Sequence, residues 1–120
     1  MSFQWSHYIG IARFLLRNID DINEEAAYRS AISRAYYAAF CHAKYYAKDN
    51  SGFIPENTAD DHLILREHFR TSGKSDIVRS LQRLREWRNS SDYNDPSYKA
   101  NEQIARQAIR QAETVINKLN

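Results

Sequence analysis

Residues that loosen or break a regular backbone are scarce in this chain, with three glycines and two prolines among 120 residues. That scarcity argues for long regular elements, and nothing reads as a pair of strands joined by turn chemistry. A single cysteine, Cys41, excludes an intrachain disulfide and fits a reducing, cytoplasmic setting. No stretch approaches the roughly 20 apolar residues of a membrane span, so no membrane partner is expected. The opening residues, MSFQWSHYIG, have neither a basic region nor a long apolar run, which argues against a signal peptide. Internal repeats and low-complexity tracts are absent. The formal net charge is only +2, so a nucleic-acid reading must rest on a local patch.

Metal and cofactor chemistry also lacks its usual signals. The four histidines, His7, His42, His62 and His68, share no metal-ligand spacing with a cysteine. His42 falls within an apolar arc and reads as a core histidine with its own partner, and Cys41 reads as a small core residue. The stretch TSGKS has a loop lysine but neither the preceding strand nor the glycines of a phosphate loop. No metal and no cofactor are expected.

What is present is helical. The chain is 42% hydrophobic and 27% charged and is rich in Ala, Arg, Gln and Glu. Trp5, Tyr8, Ile9, Ala12, Leu15, Leu16 and Ile19 share one face of a first helix over about Phe3 to Ile19. A second helix is expected from about Glu24 to Lys48, followed by the loop DNSGFIPENTAD. Thr58 and Asp61 make a loose capping box for a third helix with Leu63, Ile64, Leu65 and Phe69, which TSGKS ends. A fourth starts after Ser75 and runs to Arg88 or slightly past. Asp95–Pro96 reads as the N-cap and first position of the last helix. These segments make one domain over residues 1–120, an all-α antiparallel bundle of four to five helices.

On a helical wheel the second helix is apolar over more than half its surface, as a central helix is. Its polar arc holds Arg29, Ser30, Ser33, Arg34, Tyr37, Cys41, Lys44 and Lys48. The tyrosines of the apolar arc fill space, and each buried hydroxyl requires a partner.

The fourth helix breaks its own pattern. Ile77, Leu81 and Leu84 define a stripe, and Arg88 continues it. A guanidinium keeps its proton, so on that face it requires an anion. The anion can be internal, from Asp92 four residues on or Asp95 beyond, in which case Arg88 is a helix-end arginine. It can also be external, a phosphate or a partner's carboxylate. The run RSLQRLREWR, with four arginines against one glutamate, ends at this point and includes Arg85.

Three blocks in order, RSAISRAYYAAFCHAKYYA, DHLILREHF and LREWRNSSDYND, resemble the HEPN superfamily. The branch resembled ends its fourth helix in Arg-x-x-Ala-Asp-Tyr, and His62 with Phe69 resembles its third helix. The resemblance implies a bundle that dimerises, with a polar motif in a cleft near the dimer interface. It implies one of two activities: a metal-independent endoribonuclease, often a toxin paired with a nucleotidyltransferase-like antitoxin or acting in defence, or a non-catalytic module that binds RNA, a nucleotide or another protein. The nuclease members carry a histidine separated from the arginine by four to six intervening residues. Here Tyr93, Asn94 and Asp95 stand at those spacings from Arg88. RNA cleavage by 2′-hydroxyl attack uses a group that exchanges protons near neutral pH, which an ordinary Asp or Tyr does not. The expectation is therefore a homodimer that binds RNA or a nucleotide phosphate. Its ligand residues would be Arg85, Arg88, Asn89, Asp92 and Tyr93, and Arg88, Asp92 and Tyr93 would be its catalytic candidates.

Overall fold

The computed structural model describes residues 3–93 and 97–120. Within them all regular structure is helical, in five α-helices: α1 (Tyr8–Arg17), α2 (Glu24–Ser51), α3 (Asp61–Thr71), α4 (Ser75–Asp92) and α5 (Glu102–Lys118). Short 3-10 turns at Trp5–His7 and Ile19–Asp21 flank α1. No described helix is long and apolar enough to cross a membrane.

The central element is α2, which packs against α1, α4 and α5. Its alanines explain why. Ala31, Ala35, Ala38 and Ala39 are completely buried, and α1 and α5 meet them with small residues of their own, Ala12, Ala105, Ala108 and Ala112. Small side chains on both sides bring backbones close, and Tyr36, Leu84 and Phe69 fill the remaining volume. Losing the side chain of Leu84 would cost about 2–5 kcal/mol.

Local chemistry sets the ends. Asn23 caps α2 by accepting from the Ala26 N–H at 2.9 Å, and Asn101 caps α5 from the Ile104 N–H at 2.8 Å. At the other end of α2, Gly52 takes a left-handed conformation (φ 77°), and the next N–H, of Phe53, returns to the Ala47 carbonyl. Gly73 (φ 77°) turns the chain between α3 and α4, which pack as an antiparallel pair.

Four boundaries differ from the sequence reading. The first helix is divided, because its beginning tightens to a 3-10 turn. The second runs on to Ser51. The third begins at Asp61, three residues after Thr58, because the Asp61 carboxylate turns back to accept from the backbone N–H groups of Glu56 and Asn57, both at 2.9 Å. The last begins at Glu102 because the Asn101 side chain caps it there. The expected cap at Asp95–Pro96 lies outside the described residues, and Ser97–Ala100 is not helical.

Candidate functional site

The fourth helix continues a full turn past Arg88, and this shapes the site. Arg88 and Asp92 become i,i+4 neighbours on one helix, with Arg88 Nε 2.8 Å from Asp92 Oδ2. The contact is an ion pair whose N–H does not line up for a hydrogen bond. The other two nitrogens do donate. Nη1 reaches Asn89 Oδ1 at 3.1 Å and Nη2 reaches the Tyr37 hydroxyl at 2.5 Å. The Arg88 side chain is 18% exposed and that of Asp92 32%, so the pair sits at the rim of the core.

The second helix supplies the opposite wall. The Ser33 hydroxyl donates to Asp92 Oδ2 at 3.3 Å. Two cations contact the Tyr37 ring, with Arg34 5.4 Å and Arg88 5.1 Å from its centre. Arg34 also stands over Tyr8 and forms no ion pair among the described residues. Between these walls and α1 runs an open groove of about 670 Å³, lined by Ile11, Arg29, Ser33, Arg34, Tyr37 and Asp92 among others.

Arg29 holds the groove's floor in place. It donates to the carbonyls of Ser91 (2.9 Å), Ser90 (3.4 Å) and Tyr98 (3.1 Å), and it pairs with Glu25 at 2.9 Å. The last carbonyls of α4 have no partner within their helix, and a cation at that end satisfies them and meets the negative end of the dipole. Glu25 also accepts from the Ala100 N–H at 3.1 Å. One ion pair on α2 thus fastens the end of α4 to the start of α5.

Of the residues expected from the sequence, Arg88, Asn89 and Asp92 come together. Tyr93 does not join them. It is 65% exposed, and its side chain makes no polar or ring contact among the described residues. Arg85 lies on the α3 side of α4, where its buried Nε has no hydrogen-bond partner among the described residues. Spacing along α4 did not single out Ser33, Arg34 and Tyr37, although the polar arc of the second helix contains all three.

The histidine closest to this chemistry comes from α3. The His62 ring stacks on Phe40, with centroids 4.1 Å apart, and its Nδ1 is hydrogen-bonded to the Tyr36 hydroxyl. Burial, then the positive charges of Arg85, Arg88 and Arg66, push its pKa down from 6.5 to about 4. It is neutral at pH 7. His42 is bonded to the Leu119 carbonyl at 3.0 Å. Burial pushes the Cys41 thiol up to about 11, so it is not a nucleophile at neutral pH. No group of three His, Cys, Asp or Glu among the described residues could hold a metal.

A family model described as HEPN domain matches residues 5–120. No curated protein and no solved structure matches the chain.

Proposed function

The chain belongs to the HEPN domain family, and we propose that it binds RNA or a nucleotide phosphate in the groove between α1, α2 and α4. The observation that carries this is the pair of guanidiniums, Arg34 and Arg88, that both contact the Tyr37 ring. Asp92 balances Arg88, so the charge of Arg34 is the surplus in the groove. A surplus cation on an aromatic face suits a phosphate with its base or sugar alongside. Arg34 contacts the phosphate. Arg88, engaged on Asp92, Asn89 and Tyr37, orients Tyr37 and Asp92 in the groove wall.

Ribonuclease activity by the isolated chain is not part of this reading. No histidine follows Arg88 at the nuclease spacing, and a neutral His62 with a pKa near 4 is a weak proton carrier at pH 7. The test is incubation of the pure protein with structured and single-stranded RNA, with binding followed by anisotropy of a labelled oligonucleotide. Binding without cleavage, weakened by Arg34→Ala, is expected. Robust cleavage lost in Arg88→Ala would make the chain a metal-independent endoribonuclease instead.

The same groove supports a homodimer. Ile11 at its edge is 49% exposed and Phe14 nearby 55%, both on α1. A second copy packed by two-fold symmetry on this face covers them and brings two grooves together. Sedimentation at micromolar concentration should then give twice the 14.1 kDa chain mass. The membership in turn supports a toxin–antitoxin or defence role beside a nucleotidyltransferase-like partner. A second reading has its own observation: with Arg88 engaged by Asp92, Asn89 and Tyr37, the motif can serve stability alone, and the chain is then a protein-interaction module. An adjacent nucleotidyltransferase gene and co-purification of its product would favour that reading if RNA does not bind.

A further inference from the structure

Along the α3–α4 pair the facing stripes are apolar at the closed end, with Phe69 and Leu65 on α3 against Ile77, Leu81 and Leu84 on α4. At the open end both stripes turn cationic together. Arg66 follows His62 by one helical turn on α3, and Arg85 precedes Arg88 by one turn on α4. The Arg85 Nε is buried with no hydrogen-bond partner among the described residues, and burial followed by the charge of Arg85 lowers the pKa of Arg66. Neither forms an ion pair among the described residues. Glu86 acts on Arg66 only from beyond ion-pair distance.

The acids nearby are committed elsewhere. Asp61 is 2% exposed and holds the backbone of Glu56 and Asn57 together with Lys44, 3.5 Å away. Asp92 holds Arg88, and Glu67 holds Arg70. Gathering like charges without a counter-ion is costly, and a bound anion removes the cost. The imidazole is ready to help. Burial keeps Tyr36 a phenol, and in the tautomer where its hydroxyl donates to Nδ1 the neutral ring carries its proton on Nε2 as a donor.

We propose that His62, Arg66 and Arg85 form a phosphate-binding subsite at the open end of the α3–α4 pair, next to Arg88. It takes a second phosphate of the ligand held in the groove, and in that respect it rests on the reading above. The cations then form one strip, from Arg34 through Arg88 and Arg85 to Arg66, along which a phosphate backbone can lie.

The charged and titratable groups facing His62 are Tyr36 and Lys44 on α2, Asp61 and Arg66 on α3, and Arg85 and Arg88 on α4. The test follows the His62 imidazole by NMR in the full chain, with its signals identified by their loss in His62→Gln. The pH titration is run in chloride, then at matched ionic strength in inorganic phosphate, 5′-AMP or a single-stranded RNA oligonucleotide. The midpoint near 4 in chloride should rise by roughly one unit or more in phosphate, because an anion favours the charged ring. At about pH 7, where the fold is not under acid stress, phosphate should also move the His62 signals. Arg85→Gln and Arg66→Gln should each raise the midpoint in chloride, since a repelling cation has gone, and shrink the response to phosphate. A larger response to RNA than to AMP assigns the phosphate to a nucleic-acid backbone, and an equal one assigns it to a free nucleotide. A midpoint and signals unchanged between chloride and phosphate overturn the subsite. If that happens while RNA binding still depends on Arg34, the groove reading survives alone. If His62 answers phosphate but neither RNA nor 5′-AMP binds in a way that depends on Arg34, the groove reading falls and the subsite stands.

Discussion

Tyr36 and Tyr37 are neighbours in sequence, and their rings lie edge to face 5.5 Å apart, yet they serve opposite kinds of site. Tyr37 meets Arg88, whose charge Asp92 balances at 2.8 Å. Tyr36 meets a neutral histidine that feels Arg85 and Arg66, two arginines that form no ion pair among the described residues. On one side the α4 arginine, Arg88, is neutralised by its own Asp92, and on the other the α4 arginine, Arg85, has no acid of its own among the described residues. Two arginines one turn apart on α4, Arg85 and Arg88, therefore differ in purpose although they have the same chemistry.

Substitutions can break that contrast from either side. The largest effect is expected at Asp61, the acid withheld from the arginines. Burial raises its pKa, but the N–H groups of Glu56 and Asn57 and the Lys44 ammonium outweigh that and hold it below the usual carboxylate value. Asp61→Ala strands Lys44 and two backbone donors, and a thermal or urea melt should show a loss of about 3 kcal/mol. Arg88→Ala should cost less, about 2 kcal/mol, because water can reach the Asp92 carboxylate left behind. Arg85→Gln removes no ion pair and relieves repulsion, so stability should stay within about 0.5 kcal/mol or rise slightly. Equal losses at Arg85 and Arg88 would erase the distinction between the two sides.

Acid should act on the Tyr36 side. The folded His62 has a pKa near 4 and the unfolded chain near 6.5, so the unfolded state binds its proton first as pH falls. Stability is therefore intact above about pH 6.5 and declines towards pH 4. In His62→Gln this part of the pH dependence of the melting temperature should be absent.

The sequence was most legible where periodicity is long. The apolar stripes of α2 and α5 and the turn at Gly73 follow from residue order alone, and so does the break at Arg88. The end of α4 was harder to read, because its last turn rests on Arg29, about sixty residues earlier in the chain, which donates to the orphan carbonyls of Ser90 and Ser91. The start of α3 depends on a buried Asp61 that bonds backward into the loop. At the site, Arg88 with Asp92 was visible as an i,i+4 pair. Tyr37, Ser33 and His62 were not, because only packing of α2 against α4 and α3 brings them near. The polar arc on α2 held the hint, since two arginines, two serines and a tyrosine share a face there that a purely structural central helix would not need.

The groove itself is tested most directly by the salt dependence of RNA binding. Affinity for a labelled single-stranded oligonucleotide would be measured across a range of salt concentrations for the native chain and for Arg34→Ala. Binding that weakens with salt is expected, with Arg34→Ala lowering affinity at every salt and reducing the slope of log K against log salt by about one phosphate contact. An unchanged affinity and slope in Arg34→Ala, or no binding by the native chain at micromolar concentration, would contradict a phosphate site in this groove.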